Sequence, residues 1–417
     1  MTLKQMPMRR TLLWIGLTLA LVACNRAPPA PITPGPASTP AAAWSDIEAA
    51  ARGQEVFFNA WAGDERVNAF IAWASAELAQ HYGVKLTHVK TQDTAEAIAR
   101  ILAEKAAGRV DDGSVDLLWI NGENFAALKA NAMLFGPFVE RLPIAPMIDF
   151  AGQPSFSSDF TIPVEGLEAP WGLSLFVFTH DAARLADPPR DFPALLAWAK
   201  ANPGRFTYPA PPNFTGSSFL KQAMLAIGPA DLDYARPPDE DGFARASAAL
   251  FDYLDALHPV LWRKGATFPQ SGPAQRQLLA DGEVDLTMSF NPSEAASAVA
   301  LGQLPASVAT YGFRSGSLTN AHFLAIPANA RAKEAALVAI NFLLSPEAQA
   351  RKADIRFWGD ASALDLDKLS GPDRALFDAL GENGNLARWE GFEPALSEPH
   401  PDWMERIERA WAERYAR

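Results

Sequence analysis

The stretch 207-TYPAPPNFTGSSF-219 decides the fold prediction, because it joins a strand end, a rigid loop and a helix start. Residues 206–208 favour a short buried strand, and the prolines that follow hold the chain extended. Hydroxyl side chains in 215–218 then precede an apolar helical pattern that includes Leu220 and Met224. Small ligands bind open α/β sheets outside the carboxyl ends of strands, beside free helix N–H groups. The stretch predicts such a ligand-contacting unit, although an ordinary Ser/Thr helix cap after a Pro-rich loop explains the same residues.

The chain before this stretch alternates between strand and helix patterns. Apolar segments at 55–61, 84–89 and 115–120 are typical of strands, and helical periodicity separates them. A β-α-β-α-β order of this kind requires a mostly parallel sheet with helices on its faces. The predicted fold class is therefore α/β.

A second set of strand and helix units indicates a second lobe. An apolar strand at 171–179 restarts the alternation, and an apolar run at 317–327 is interpreted as the return of the chain to the first lobe. Leucines and tryptophans after residue 360 predict packed helices. The predicted organisation is one lobe from 46–168 plus 316–360, a second lobe from 169–315, and a C-terminal helical extension, 361–417, packed on the lobes.

The N-terminus predicts export from the cytoplasm. Basic Lys4, Arg9 and Arg10 precede an apolar run at 11–23, which is shorter than the ~20 residues that a membrane-spanning helix needs. Residues 1–23 are therefore predicted to be a signal peptide.

A lipid anchor is predicted at Cys24. The segment Leu21-Val22-Ala23-Cys24 resembles the lipobox of bacterial lipoproteins, in which the cysteine becomes the lipidated first residue. Cys24 is the only cysteine, so an intramolecular disulfide is excluded, and acylation explains a lone thiol in an oxidising compartment. Plain secretion with an incidental cysteine is the alternative. The Pro/Ala-rich segment within 24–45 predicts a flexible tether, so the expected location is extracytoplasmic, periplasmic or cell-surface, with a membrane anchor.

Composition and charge restrict the partners. The chain has 417 residues, of which 49% are apolar and 20% charged, and its formal net charge of −12 would become −15 without residues 1–23. Nucleic-acid binding depends on Lys/Arg contacts to phosphate, so this charge argues against a nucleic-acid partner. It mildly favours a cationic or neutral ligand.

Unusual side chains cluster at the predicted strand ends and at the turn around residues 170–172. Aromatic rings beside amides, hydroxyls and glycines are the mixture found in enclosed small-molecule clefts, although core packing explains any single tryptophan equally well. The predicted ligand-binding residues are Trp61, Gly63, Asp64, Trp119, Asn121, Gly122, Glu123, Trp171, Tyr208, Phe214, Thr215, Gly216, Ser217, Ser218, Ser289 and Asn291.

Motifs for catalysis and for cofactor binding are missing from the sequence. It contains no Gly-x-Ser-x-Gly, His-Glu-x-x-His, Walker or Gly-x-Gly-x-x-Gly motif, and its six histidines have no ligand spacing. The prediction is a protein that is not an enzyme and that uses no cofactor or metal. Two alternatives stay open: a cell-envelope hydrolase with Ser217 or Ser289 as nucleophile, and a structural lipoprotein that binds protein partners.

Several segments resemble the solute-binding proteins of bacterial ABC importers, specifically the YnjB-like group. They are 115–125, 134-LFGPF-138, 206–219, 285–292, and 325–350 with its ending 342-FLLSPEAQ-349. The resemblance covers most of residues 50–350. It implies a two-lobed periplasmic-binding-protein-like fold with a ligand cleft at the hinge between the lobes. It also implies a small-molecule solute, an ABC permease and its ATPase as partners, and a monomeric chain.

The residue types favour a cationic solute. Trp61 lies near Asp64 in the sequence, and Trp119 lies near Glu123. Further aromatic rings are expected from Trp171, Tyr208 and Phe214. Ring faces attract cations and carboxylates add charge-assisted hydrogen bonds, so a thiamine-like or polyamine-like molecule would fit. A helix start at Ser217 would instead suit a phosphate or carboxylate, and a zwitterion would satisfy both.

We expect a labelled fatty acid to be incorporated at Cys24 in the exported protein. The wild type should carry the label and Cys24→Ala should lose it, because stable anchoring requires acyl chains on that sulfur. Equal labelling of both proteins, measured after membrane extraction, would contradict the lipobox prediction.

Overall fold

Two β-sheets organise the computed structural model, which describes residues 43–387, 392 and 394–416. The predicted signal peptide and Cys24 lie outside the described residues. The α-helices are α1 Trp44–Ala51, α2 Glu65–Tyr82, α3 Ala95–Ala106, α4 Glu123–Ala130, α5 Phe192–Ala201, α6 Phe214–Ile227, α7 Glu240–Leu257, α8 Gly272–Ala280, α9 Glu294–Ala300, α10 Lys333–Leu343, α11 Pro346–Ala353, α12 Gly371–Glu382 and α13 Pro401–Tyr415. The strands are β1 Glu55–Trp61, β2 Lys85–Thr91, β3 Leu117–Ile120, β4 Ser158–Asp159, β5 Ile162–Pro163, β6 Glu168–Leu175, β7 Val177–Asp181, β8 Leu286–Ser289, β9 Val308–Tyr311, β10 Ser317–Ala325, β11 Ala361–Ser362 and β12 Ala395–Ser397.

The larger sheet has the strand order β11-β6-β10-β3-β1-β2, and β12 also pairs with β10. Strand β1 is parallel to both β2 and β3, whereas β10 is antiparallel to β3 and β6. The β-α-β-α-β order predicted from the sequence is therefore confirmed as the parallel part of this sheet. The near-continuous apolar sequence of β3 suits a strand that is covered on both faces.

The chain crosses between the two sheets at two places. The smaller of these two sheets has three antiparallel strands in the order β8-β7-β9, and β4 pairs with β5 in a separate two-stranded sheet. Strand β6 pairs in the larger sheet and β7 in the smaller one, so the first crossing is at Phe176, whose N–H donates to the Leu318 carbonyl at 2.8 Å. The second crossing lies between β9 and β10. The sequence suggested one strand at 171–179, because no turn residue marks the change of sheet.

The segment around residue 207 has the predicted order of elements with two local differences. Phe206 forms only an isolated bridge to Leu286 and not a full strand. Helix α6 begins at Phe214 and is capped by Asn213, whose Oδ1 accepts from the Thr215 N–H at 3.2 Å. The expected Ser/Thr cap is therefore an asparagine cap, and Ser217 and Ser218 are buried within the helix.

The C-terminal region joins both sheets. Strand β11 pairs with β6, and β12 pairs in parallel with β10, so both extend the larger sheet. Helix α13 instead buries Trp403, Ile407 and Trp411 in the hydrophobic core that surrounds the smaller sheet. Among the residues that the structure describes, no helix has the length and hydropathy of a membrane span.

A buried ion pair connects these parts. The Lys221 ammonium on α6 lies 2.5 Å from Glu398 Oε2, and the two side chains are 0% and 3% exposed. Asn320 Nδ2 on β10 donates to the other Glu398 oxygen at 2.9 Å. Removing one partner of a buried pair leaves an uncompensated charge, which costs far more than the loss of an exposed pair.

We therefore expect Glu398→Gln to lower the free energy of unfolding by about 3–5 kcal/mol, because it leaves Lys221 buried without a counter-charge. Urea unfolding followed by tryptophan fluorescence measures this change. Glu405→Gln is the control, since Glu405 is exposed and its substitution should change the free energy little. Equal effects of the two substitutions would show that the buried pair does not stabilise the fold.

Candidate functional site

A cavity of about 240 Å³ lies among the strand ends and helix starts of both sheets. It is lined by Trp61, Asp64, Arg66, Val67, Gln92, Asp93, Thr94, Trp119, Asn121, Glu123, Asn124, Ser174, Pro212, Asn213, Phe214, Thr215, Ser271, Gly272, Pro273, Met288, Ser289, Phe290, Asn291, Glu294, His322, Trp358, Asp360 and Met404. Aromatic rings, amides and carboxyl groups share this lining, which is the composition of a small-molecule site.

The structure brings more than half of the predicted site residues to this cavity. Those that line it are Trp61, Asp64, Trp119, Asn121, Glu123, Phe214, Thr215, Ser289 and Asn291. Those outside the lining are Gly63, Gly122, Trp171, Tyr208, Gly216, Ser217 and Ser218. The residues that meet come from the ends of β1, β3 and β8 and from the start of α6, as expected where strands end at one edge of a sheet.

Gly122 does not line the cavity itself but connects two residues that do, Asn121 and Glu123. Its φ of 61° lies in the left-handed region, and an added Cβ would come within 2.9 Å of a ring carbon of Phe160. Its N–H donates to Asp159 Oδ2 at 2.6 Å. Glycine therefore permits the sharp turn from β3 into α4, which places Glu123 at the cavity.

Tryptophan rings form one side of the cavity. The Trp61 and Trp119 ring centroids are 6.3 Å apart with an interplanar angle of 87°, and Trp358 lies 5.5 Å from Trp119. Trp171 is fully buried and packs edge-on against Trp119 at 5.2 Å. Trp171 therefore supports the lining from the core, and the predicted turn at 170–172 lies inside strand β6.

Tyr208 also belongs to a core. It stacks on Phe219 at a centroid distance of 4.8 Å. Its hydroxyl contacts His258 Nε2 at 2.7 Å and accepts from Trp411 Nε1 at 2.9 Å. The aromatic ring expected to contact a ligand instead packs α6 against the C-terminal helix.

Most charged groups in the lining are neutralised by neighbours. Arg66 Nη2 lies 2.8 Å from Asp64 Oδ2, and Arg276 reaches the same oxygen at 3.5 Å. Burial raises the pKa of Asp64, but the hydrogen bonds and charge of Arg66 outweigh it and leave that pKa below its ordinary value. Arg276 also pairs with Glu294, which accepts from the Ser289 hydroxyl.

A second neutralised carboxylate lies near the tryptophans. Asp360 contacts the buried Lys352 ammonium and lies 3.0 Å from His322 Nε2. Burial raises the pKa of Asp360, yet Lys352 and His322 together lower it below its ordinary value. Gly172 makes room for this group, since a Cβ there would lie 2.3 Å from Asp360 Oδ2.

Glu123 differs from these carboxylates. Its Oε1 accepts from Asn124 Nδ2 at 3.2 Å, whereas its Oε2 is buried and has no hydrogen-bond partner among the described residues. Burial raises the pKa of Glu123 to about 7, and Glu408 and Asp93 add to this shift, while its own amide and Lys221 oppose it. An unpaired carboxyl oxygen in an aromatic cavity can accept a hydrogen bond from a cationic ligand.

Some lining residues were missed by sequence reasoning. Gln92, Asp93 and Thr94 directly follow β2, so the strand-end rule that selected Trp61 could have found them. His322 and Trp358 come from distant segments that gave no local signal. Among the described residues, no group of three His, Cys, Asp or Glu side chains could hold a metal ion.

Comparison with known proteins identifies the family. The model of the family described as bacterial extracellular solute-binding protein matches residues 72–363. Protein YnjB of Escherichia coli (strain K12) is 44% identical over 378 residues, which cover 91% of this chain and 95% of that protein.

Solved structures share the fold at low sequence identity. The periplasmic binding protein AfuA from Actinobacillus pleuropneumoniae, with fructose-6-phosphate bound, superposes with a TM-score of 0.59 at 17% identity, covering 87% of this chain and 99% of that one. The spermidine/putrescine ABC transporter substrate-binding protein PotD from Streptococcus pneumoniae gives a TM-score of 0.56 at 12% identity, covering 87% and 98%. The predicted α/β two-lobed fold is thus confirmed. The chain belongs to the bacterial extracellular solute-binding proteins, and it is the extracytoplasmic solute-binding component of an ABC importer.

Proposed function

We propose that the cavity captures a small organic cation, or an amphipathic molecule with a cationic part, for import. The observation that carries this proposal is the unpartnered Oε2 of Glu123 among the tryptophans. Asp64, Glu294 and Asp360 in the same lining each contact a cationic side chain of the protein. Asp93 also lines the cavity without a cationic partner among the described residues, but it accepts from the Ala95 N–H, whereas Glu123 has a buried oxygen with no partner among them. Glu123 is therefore the carboxyl group proposed to pair with a charge that the solute brings.

The aromatic lining supports the same solute class. A ring face attracts a cation by about 0.5–2 kcal/mol, and the larger values apply where the cation is desolvated. Trp61 and Trp119 both line the cavity with Glu123. A thiamine-like or polyamine-like molecule combines the positive charge and the apolar surface that these groups would contact.

The start of α6 offers less to an anion than its sequence suggested. The Thr215 N–H already donates to Asn213, and the Ser217 hydroxyl donates to Glu408. Fold does not decide between the solute classes, because AfuA holds a sugar phosphate and PotD is named for polyamines. The proposal of a cationic solute therefore rests on the charges of the lining and not on the fold.

In the cell envelope, the protein acts as a carrier of its solute. The solute binds between the two lobes without chemical change, and the loaded chain, a monomer anchored through acylated Cys24, delivers it to an ABC permease and its ATPase. The partners of the two candidate nucleophiles favour solute binding over hydrolysis. Ser217 and Ser289 each donate to a carboxylate, whereas a nucleophilic serine donates to an imidazole.

Titration calorimetry against thiamine, spermidine, choline, fructose-6-phosphate and maltose tests the solute class. We expect only the cations to bind, and Glu123→Gln to weaken that binding by about 10- to 100-fold, because it removes the negative charge that faces the cation. Glu96→Gln is the control, because Glu96 is exposed near the cavity. Binding of fructose-6-phosphate or maltose alone, or unchanged affinity in Glu123→Gln, would overturn the cationic assignment.

Binding of a cation should also depend on pH. The carboxyl of Glu123 is neutral well below its pKa of about 7 and negative above it. Affinity for choline, whose charge is permanent, should therefore rise by up to about tenfold per pH unit below 7 and level off above it. The Glu123→Gln profile should be flat across the same range. Parallel profiles for the two proteins would show that another group causes the pH dependence.

A further inference from the structure

The C-terminal helix contributes to the cavity although it lies outside the family match. The family model ends at residue 363, whereas α13 begins at Pro401. Met404 of this helix lines the cavity together with residues of β3, α4, α6 and β8. The cavity therefore includes residues on both sides of the family match, because Trp61 and Asp64 precede residue 72.

Helix α13 is positioned at the junction of the two lobes. It lies beside α4, whose first residue is Glu123, and beside α6, whose first residue is Phe214. Both of those residues line the cavity. A helix in contact with both α4 and α6 closes the side of the cavity between them.

The helix is held firmly by core contacts on the same side of its axis, since Met404 precedes Ile407 by three residues and Trp411 by seven. Trp403 Nε1 donates to the Arg236 carbonyl at 2.9 Å, and Trp411 Nε1 donates to the Tyr208 hydroxyl at 2.9 Å. Ile407 is buried in the core around the smaller sheet. These residues recur at helical spacing, so α13 has one face fixed in the core. Met404 is presented to the cavity from a rigid element.

We propose that α13 is a wall of the solute site and that Met404 is a specificity-determining residue, which limits the size of the bound cation. The size limit rests on the proposed cationic function, whereas the position of Met404 in the wall does not. A methionine side chain is flexible and polarizable, so it packs against apolar substituents of varied shape. Met288 of β8 lines the same cavity and adds to this apolar surface.

Thiol labelling tests the wall without knowledge of the natural solute. In a Cys24→Ser background, Met404→Cys and Ile407→Cys each carry the only thiol of the chain. Met404 and Ile407 are both buried, but only Met404 lines the cavity. Methanethiosulfonate ethylammonium that enters the cavity should therefore modify the cysteine at 404 about tenfold faster than the one at 407. Equal rates at the two positions, in proteins with the thermal stability of the background, would overturn the proposed wall.

A thiol reagent of opposite charge tests the cation selectivity of the cavity independently of the position of Met404 in its wall. Methanethiosulfonate ethylsulfonate is anionic, so a cation-selecting cavity should admit it more slowly to position 404 than the ethylammonium reagent. If the two reagents react equally fast at 404 while 407 stays protected, the wall is supported and the cationic assignment is contradicted.

A size series tests the role of Met404 in specificity. Tetramethyl-, tetraethyl- and tetrapropylammonium are titrated into wild type, Met404→Ala and Met404→Leu. We expect Met404→Ala to shift the affinity ratio of tetrapropyl- to tetramethylammonium upward by about tenfold, because it removes side-chain volume from the wall. Met404→Leu should keep the wild-type ratio. Ile407→Ala removes a side chain from the core face of the same helix, so an equal shift there, or none in Met404→Ala, would overturn the size limit.

Discussion

The buried ion pair between Lys221 and Glu398 is the interaction on which the arrangement of the lobes depends. Lys221 belongs to the helix that follows the cavity loop, Glu398 belongs to the C-terminal region, and Asn320 on the returning strand bonds the same carboxylate. A buried charge without its partner is so costly that these three segments must fold together. The pair therefore fixes α6, β10 and the C-terminal region relative to one another beside the cavity.

Charge pairing also distinguishes the carboxyl groups of the cavity from one another. Arginines neutralise Asp64 and Glu294, and Lys352 neutralises Asp360, so these carboxylates hold the walls in place. Among the described residues, Glu123 instead accepts only from an asparagine amide, through one oxygen. The contrast arises from position, because Glu123 begins a helix soon after a strand, and no arginine or lysine of the described part of the chain lies within hydrogen-bonding distance of it.

Sequence patterns predicted the parts of the structure that depend on local periodicity. The strands around residues 58, 88 and 118 and their parallel order follow from alternation and from the right-handed βαβ rule. Whether an aromatic ring lies in a core or in a cavity does not follow, because Trp61 and Trp171 both occur near strand ends and glycines. The difference arises from long-range packing, which buries Trp171 behind Trp119.

Long-range packing is also the reason why no residue of α13 was among the predicted site residues. Trp403 and Trp411 signal a packed helix in the sequence, but the partner of that helix is set by the Tyr208 hydroxyl and by the Lys221 charge, which are distant in the chain. In the folded chain α13 packs against both α6 and α4, and its Met404 lines the cavity. Long-range packing of α13 thus brings Met404 to a cavity whose other walls are strand ends and helix starts.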